Sequence, residues 1–126
     1  MDEEIDREWA EDWAREWIEC WNRHDHSAIL EHYADDIEYR SPLVSGRFPE
    51  LAGVIRSKSK LAEYIAIGLE NNPDLRFALL DVFTGVREMT LLYNNARGGS
   101  TTESFQFDET RRVIRVSSCY SENKFC

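Results

Sequence analysis

The stretch of sequence that decides the fold runs from residue 17 to residue 42 and reads WIECWNRHDHSAILEHYADDIEYRSP. Its first residues complete a helical pattern, because Trp9, Trp13, Trp17 and Trp21 recur every four residues. Acidic side chains occupy the opposite side of that helix, and this separation is typical of an amphipathic helix. The pattern predicts a first helix over Asp2–Arg23.

The rest of this stretch changes from helix to strand. Asp25 or Ser27 can cap a short second helix over Ala28–Ala34, which ends at the acidic pair 35–36. The alternating pattern that follows predicts a strand over Ile37–Ser41, and the proline after it stops the strand. Helix, short helix and strand thus follow one another closely.

The chain beyond this stretch predicts a loop, a third helix and a sheet. Residues 42–56 hold two prolines and two glycines and form a loop long enough to be a functional lid or a rim. Ser57 caps a third helix over Lys58–Asn71. Strands are then predicted over 75–83, 88–96, 100–108 and 112–121. Short turns between them favour an antiparallel meander, so residues 1–126 are predicted to form a single α+β domain.

Composition and charge exclude several classes of protein. With 126 residues, 42% of them apolar and 12% aromatic, the chain can build one hydrophobic core and is not a disordered tail. No apolar run approaches the roughly 20 residues of a membrane span, and the acidic start 1–4 is unlike a signal peptide. A net charge of −9 disfavours nucleic acid as a partner. We therefore expect a cytoplasmic protein.

The cysteine content agrees with a reducing compartment. The three cysteines are an odd set without the CxxC spacing of redox or metal sites, and they are Cys20, Cys119 and Cys126. We expect reduced thiols, with Cys20 and Cys119 buried in the core.

The order of these elements, together with several short phrases, resembles the nuclear transport factor 2-like superfamily and its SnoaL-like members. The phrases are Trp17-x-x-x-Trp21-Asn22-Arg23-His24-Asp25, Tyr33-Ala34-Asp35-Asp36-Ile37, Ser41-Pro42, residues 72–77, Glu103-x-Phe105-x-Phe107-Asp108 and residues 113–116. The resemblance implies a cone: a curved, mainly antiparallel β-sheet wrapped around three helices from the N-terminal half, with a pocket inside. Members include steroid isomerases, polyketide cyclases, dehydratases, epoxide hydrolases and non-catalytic modules, so the fold does not define the activity.

Strand alternation predicts which side chains face that pocket. Ser41 is placed inward by its match in the steroid isomerases, whereas Phe105 and Phe107 carry Glu103 to the inner face of their strand. On the last strand, Ile114 is expected to share the inner face with Val116. The predicted substrate-binding residues are Trp17, Trp21, Tyr33, Tyr39, Ser41, Tyr64, Phe77, Met89, Leu91, Tyr93, Phe105, Val116, Ser118 and Tyr120.

Glu103 is the candidate catalytic residue. A carboxyl group among aromatic side chains loses hydration, which raises its pKa and lets it act as an acid or a base near neutral pH. The resemblance implies that an acid at this position donates to a developing enolate oxygen. The alternative is a partly hydrated Glu103 near the strand end, bonded to Arg115 or to a tyrosine.

Two positions depart from the steroid isomerase pattern. Ser41 stands where those enzymes carry the carboxylate base, and Trp17 stands where they carry a phenol that donates to the steroid oxygen. Steroid isomerisation by that route is therefore not expected. Two functions remain open: cofactor-free isomerase, cyclase or dehydratase chemistry on an apolar, ring-containing substrate, or a non-catalytic ligand-binding or dimerisation module.

No metal or cofactor is predicted. His24, Asp25, His26 and His32 lie close together in the sequence, but their spacing matches no zinc site, and capping explains most of them. The chain also lacks a phosphate-binding glycine loop.

Surface residues suggest a second copy of the chain as a partner. Ala78, Leu80 and Leu92 fall on the predicted outer face of the sheet, where they would leave apolar surface uncovered, so we expect a homodimer through this face. Trp9 and Trp13 leave two possibilities open, since they can pack in the core or at the cone rim, or they can contact a partner subunit or ligand.

Overall fold

The computed structural model describes residues 4–95 and 98–121, and over these residues the chain combines four α-helices with six strands. The elements are α1 (Arg7–Asn22), α2 (His26–Leu30), β1 (Tyr33–Arg40), α3 (Pro42–Arg47), a 3-10 turn (Pro49–Leu51), β2 (Val54–Ile55), α4 (Lys58–Asn71), β3 (Ala78–Thr84), β4 (Glu88–Asn94), β5 (Ser100–Phe107) and β6 (Val113–Tyr120). The α+β prediction is confirmed, with one helix more than expected.

The strands form one curved, unclosed sheet in the order β2-β1-β6-β5-β4-β3. Strands β1 and β6 are parallel and every other pair is antiparallel, so β3 to β6 form the predicted antiparallel meander. Helix α1 packs over β3, α4 packs over β1, and α2 contacts both helices. The core thus lies between the helices and the inner face of the sheet. None of the helices described is long and apolar enough to cross a membrane.

Each helix begins after a side chain that accepts a hydrogen bond from its first turn. These capping residues are Asp6, Asp25, Ser41 and Ser57, and the distances to the donating backbone nitrogens range from 3.0 to 3.2 Å. Such caps satisfy backbone N–H groups that have no partner within the helix. The prediction of Ser57 is confirmed, and Asp25 rather than Ser27 caps α2.

The first helix is predicted to start at Asp2, which lies outside the described residues. For residues 4–6, which are described, the prediction is wrong, because they are not helical. Helix α1 begins at Arg7 because Asp6 caps it. The chain before the cap is tied to the β3–β4 turn, where the N–H of Ile5 donates to the carbonyl oxygen of Gly85 at 3.0 Å. A backbone bond to the sheet therefore replaces the first turn of the predicted helix.

The predicted second helix, Ala28–Ala34, is also wrong in its position. Helix α2 ends at Leu30, and Tyr33 and Ala34 begin strand β1. Tyr33 pairs with Val113 of β6, so a contact 80 positions away along the chain overrides the local helical pattern. The acidic pair 35–36 lies inside β1, where the register against β6 shifts between Tyr33 and Glu38.

The predicted loop 42–56 contains α3, the 3-10 turn and β2. Ser41 caps α3 and a proline occupies its first turn, which suits the fixed backbone angle of proline. Val44 and Ile55 are fully buried, and Ile55 pairs with Tyr39 of β1. This segment is therefore a packed part of the domain and not a free lid.

The four C-terminal strands are present as predicted, with their ends shifted by a few residues. The predicted end of the second of them, Ala96, lies outside the described residues. The expectation for Ile114 is wrong, because the pairing of β5 and β6 shifts between Gln106 and Phe107. This irregularity buries Val113 and leaves Ile114 half-buried. A bulge inserts one residue and so exchanges the two faces of a strand.

The tryptophans of α1 divide along the helix. Trp13 is buried, and its ring contacts those of Phe105 and Phe107 at centroid distances of 4.9 and 5.3 Å. Trp9 is half-buried, edge-on to Phe107 and beneath the guanidinium of Arg111 at 4.5 Å. Trp13 is therefore a core residue, whereas Trp9 lies at the margin of the core.

Of the cysteines, Cys20 is buried as predicted and Cys119 is exposed, so the second expectation is wrong. Alternation along β6 places Ser118 inside and Cys119 outside. Cys126 lies outside the described residues.

Asn22 joins the end of α1 to the segment that enters β3. Its side-chain nitrogen donates to the carbonyl oxygen of Phe77 at 3.0 Å, and its side-chain oxygen accepts from the N–H of Phe77 at 2.7 Å. The amide thus pairs with the backbone as a neighbouring strand would. Phe77 is thereby held against the C-terminal end of α1.

Asn22→Ala is expected to lower the free energy of unfolding by about 2 kcal/mol, because both half-buried backbone groups of Phe77 lose their partner. Urea unfolding measures this loss. The matched control is Asn71→Ala at the exposed end of α4, which should change stability by less than about 0.5 kcal/mol. Equal effects of the two substitutions would contradict the role of Asn22.

Candidate functional site

Glu103 lies in the middle of the sheet with its side chain in the core. It is 2% exposed, and it pairs with Leu91 of β4 on one side and Ser118 of β6 on the other. The alternation of β5 puts Thr101, Glu103 and Phe105 on one buried face, as predicted for the last two. The same periodicity that builds the core therefore carries a carboxyl group into it.

One oxygen of this carboxyl group has a partner and the other does not. The hydroxyl of Tyr93 donates to Oε1 of Glu103 at 2.7 Å. Within the described residues, neither Oε2 of Glu103 nor Oγ of Ser118 makes a hydrogen bond of regular geometry, although the Ser118 hydroxyl lies close enough to lower the pKa of the carboxyl. Buried polar atoms rarely lack a hydrogen-bond partner, so Oε2 is available to accept a hydrogen bond from another molecule or to donate one to it.

Burial raises the pKa of Glu103 from 4.5 to about 7. The hydroxyls of Tyr93 and Ser118 offset part of that rise, and no positively charged side chain of the described residues contributes to it. The alternative of a hydrated Glu103 bonded to Arg115 is wrong, because Arg115 lies 3.9 Å from Glu38 and Glu103 is buried. The bond to a tyrosine is present.

All five tyrosines of the chain lie close enough to Glu103 for its charge to act on their phenols. Burial raises the pKa of each phenol, and the charge of Glu103 raises it further. For Tyr64 the pKa reaches about 12, because the nearby guanidinium of Arg47 offsets part of the rise. The phenols therefore stay protonated and can donate hydrogen bonds. They are Tyr33, Tyr39, Tyr64, Tyr93 and Tyr120.

Ser41 faces inward, as predicted, and is 4% exposed. Its Oγ accepts from the N–H of Leu43 at 3.1 Å, where it caps α3, and lies 3.2 Å from the hydroxyl of Tyr120. A serine engaged in this way holds a helix in place. Neither its chemistry nor its contacts make it a substitute for a carboxylate base.

The aromatic side chains of α1 cover the site. Trp17 is 1% exposed, and its indole N–H donates to the hydroxyl of Tyr33 at 3.0 Å. Phe77 lies between Trp17 and Tyr93, with ring centroids 6.0 and 4.6 Å away. Trp21 packs on Phe77, and its Nε1 has no hydrogen-bond partner within the described residues. The unpartnered indole donor is thus that of Trp21 and not that of Trp17.

This arrangement matches a known family over most of the chain. The model of the SnoaL-like domain family matches residues 14–118. The chain belongs to the SnoaL-like family. No curated protein gives a significant match.

Solved structures of related proteins agree with this assignment. A SnoaL-like protein of unknown function from Burkholderia thailandensis is 36% identical, with a TM-score of 0.91 over 95% of this chain and 100% of that chain. A proposed ketosteroid isomerase from Kribbella flavida is 14% identical, with a TM-score of 0.69 over 94% of this chain and 82% of its own. AclR, a proposed hydroxylase from Streptomyces galilaeus, is 16% identical, with a TM-score of 0.73 over 94% and 92%. The last two similarities show the fold alone.

The remaining predicted residues of this SnoaL-like domain form the apolar wall around Glu103. Met89, Leu91, Phe105 and Val116 are each 2% exposed or less. The structure therefore brings the predicted site residues to the inner face of the sheet or to the helices that cover it. Whether they bind a ligand stays a prediction.

Sequence reasoning missed Thr101 and Arg47, which lie near the site. Thr101 is fully buried and shares the alternation of Glu103, so the strand pattern could have identified it. Arg47 places its guanidinium 5.2 Å from the centre of the Tyr64 ring, beside Gly68 of α4. No sequence signal indicated Arg47, because its segment was predicted to be a loop.

The histidines near the α1–α2 turn bond to the backbone. Nε2 of His24 lies 2.9 Å from the carbonyl oxygen of Leu75, and Nε2 of His26 lies 2.8 Å from that of Ala62. Across residues 4–95 and 98–121, no three His, Cys, Asp or Glu side chains cluster as a metal site requires. These histidines therefore tie the turn to the segment before β3 and to α4.

The raised pKa of Glu103 makes the free energy of unfolding depend on pH. The unfolded chain ionises this carboxyl near 4.5 and the folded chain near 7, so the folded state binds more protons between these values. The contribution of Glu103 to stability is complete below the lower value and falls by about 3 kcal/mol as pH rises through the higher one.

Glu103→Gln is expected to abolish this fall, because the amide stays neutral and its oxygen can still accept from Tyr93. Urea unfolding should give the variant and the wild type similar stability near pH 4, with the variant about 3 kcal/mol more stable above about pH 8. Glu88→Gln is the control, since Glu88 bonds to Gln106 outside the core. A stability difference that does not change with pH would contradict the raised pKa.

Proposed function

We propose that this SnoaL-like domain binds a small, mainly apolar, ring-containing molecule between its helices and the inner face of the sheet. We propose further that Glu103 transfers a proton next to a carbonyl group of that molecule, as an isomerase, cyclase or dehydratase does. The observation that carries the proposal is the buried carboxyl of Glu103, whose pKa is about 7 and whose Oε2 makes no hydrogen bond of regular geometry within the described residues.

The surroundings of Glu103 support acid–base chemistry. A group with a pKa near the working pH populates both protonation states, and this is the condition for efficient proton transfer. The carboxylate would take a proton from the carbon next to the carbonyl, and the C–H electron pair would form an enolate. The carboxyl would then return the proton to a different carbon of the same molecule, so the step needs no redox partner.

The tyrosines would stabilise the enolate. A phenol such as Tyr39, buried and protonated, can donate to the developing oxygen charge, and its pKa lies closer to that of an enol than the pKa of a serine does. Tyr93 already holds Oε1 of Glu103, which leaves Oε2 to face the substrate. The rings of Trp17, Trp21 and Phe77 would supply stacking surface.

A non-catalytic ligand-binding module is the competing proposal. Ser41 replaces the carboxylate that precedes the proline in steroid isomerases, so a second acid–base group is missing from that position. Binding without turnover would use the same aromatic surface. The two proposals differ only in whether Glu103 moves a proton.

Exchange of α-protons in D2O separates the two proposals. The wild type is expected to accelerate the loss of the α-proton NMR signals of 2-tetralone, an apolar bicyclic ketone. Glu103→Gln should lower that rate by about a hundredfold or more, whereas the control Glu88→Gln should leave it unchanged.

Binding is followed separately by the fluorescence of the tryptophans. A ligand that changes the fluorescence without any exchange would support the non-catalytic module. If no member of a panel of apolar ring compounds changes the fluorescence, the binding proposal itself fails.

We also propose that the domain forms a homodimer through the outer face of the sheet and acts in the cytoplasm. Leu80, Phe83 and Val86 are 52%, 51% and 64% exposed, on or next to the edge strand β3. Uncovered side chains of this size favour a partner surface, and a twofold axis would let the patch cover itself. The exposed free thiol of Cys119 supports a reducing compartment.

Phe83→Lys is expected to convert the dimer to a monomer, because it buries a charge in the proposed interface. Sedimentation velocity at micromolar concentration measures the change. Ala66→Lys, on the exposed side of α4, is the control and should remain dimeric. A wild-type protein that sediments as a monomer would refute the dimer.

A further inference from the structure

Arg47 occupies an unusual position at the end of α3. The residue is half-buried, and its guanidinium lies 5.2 Å from the ring centre of Tyr64, which is itself 4% exposed. A guanidinium held on an aromatic face keeps its charge and its N–H donors in a fixed plane. The donors that do not face the ring are therefore oriented in advance.

The guanidinium of Arg47 has no acidic partner in the part of the chain that the structure describes. Within residues 4–95 and 98–121, no Asp or Glu lies within ion-pair distance of Arg47, whereas Arg7, Arg15, Arg40 and Arg56 each have such a partner. Arg76, Arg111 and Arg112 also form no such ion pair among the described residues, so it is the position of Arg47 against Tyr64 that sets it apart. Arginine is the residue best suited to bind a carboxylate through two parallel hydrogen bonds.

Gly68 of α4 makes room for this arrangement. A Cβ atom at residue 68 would lie 2.8 Å from Nη1 of Arg47, closer than any unstrained contact. Gly68 is buried and helical, and glycine in a helix interior costs about 1 kcal/mol relative to alanine. The absence of a side chain at this position therefore has a use, which is the close approach of the guanidinium.

Aromatic contacts lead from Arg47 towards Glu103. Tyr64 contacts Arg47 on one side and the ring of Tyr39 at 5.6 Å on the other. Tyr39 and Tyr64 both lie within the electrostatic influence of Glu103. Among the described residues, a guanidinium without an acidic partner and a carboxyl without a nearby cation thus lie at the two ends of this aromatic wall.

We propose that Arg47 is an anion-binding subsite and that the ligand of this domain is a ring compound carrying a carboxylate. The carboxylate would pair with the guanidinium, while the ring lies along Tyr64 and Tyr39 and the reacting end reaches Glu103. This inference rests on the proposed function, since it names the class of molecule that the same site takes.

A pair of matched probes tests the subsite. 2-Naphthoate and 2-naphthamide share the same bicyclic ring and differ in charge, and isothermal titration calorimetry measures both affinities. The wild type is expected to bind the carboxylate more tightly than the amide, despite its net charge of −9. Arg47→Gln should weaken binding of 2-naphthoate about tenfold or more and change binding of 2-naphthamide less than about twofold.

Two further variants test whether binding depends on where the guanidinium of Arg47 lies or only on the net charge of the protein. Gly68→Ala keeps Arg47 but displaces its guanidinium, so it should cause the same selective loss of 2-naphthoate. Arg15→Gln removes an equal charge from the solvent face of α1 and should leave both affinities unchanged. Circular dichroism confirms that each variant is folded.

The outcomes distinguish the subsite from the proposed function. If the wild type binds both probes but Arg47→Gln and Arg15→Gln bind 2-naphthoate equally well, the subsite is refuted and the binding function stands. A loss in Arg47→Gln that is equal for acid and amide also refutes it, because the change would then be structural. If the wild type binds neither probe, the subsite is refuted, and the fluorescence panel decides separately whether the binding function stands.

Discussion

The packing of Trp17 against the inner face of the sheet is the interaction on which the rest of this structure depends. Its ring contacts those of Trp13 and Trp21 on its own helix and those of Phe77, Tyr93 and Phe105 across the core, at centroid distances between 5.3 and 6.5 Å. Burying an aromatic side chain of this size stabilises a domain by several kcal/mol. It also closes the core over Glu103.

The same packing creates the chemistry of the site. A carboxyl group that is sealed beneath aromatic rings loses its hydration, and no cation of the described residues replaces that hydration, so the neutral form is favoured. The domain thereby gives up stability at neutral pH, where the ionised form is costly. A buried ionisable group that lowers stability is common at functional sites and uncommon elsewhere, which is the physical basis for assigning a role to Glu103.

Local patterns predicted the parts of the fold that local forces decide. The cap at Ser57 and the periodicity after it marked α4 to its bounds, because capping and helical spacing act within a few residues. The same reasoning misplaced Tyr33 in a helix and missed α3 and β2. Tyr33 belongs to β1 because it pairs with β6, and the segment 42–56 is ordered by burial of Val44 and Ile55. Neither contact leaves a trace in the neighbouring sequence.

By itself, the sequence determined that Glu103 and Phe105 share a buried face and that four tryptophans line one side of α1, because these relations follow from the periods of a strand and a helix. Only the tertiary structure decided that Tyr93 holds Glu103, that five tyrosines converge on it, and that Arg47 stacks on Tyr64. Such contacts depend on strand register and on the angle at which helices cross the sheet. A single bulge between Gln106 and Phe107 was enough to exchange Ile114 for Val113. Periodicity places a side chain on a face, whereas the way in which the sheet curves around the helices determines which residues that side chain contacts.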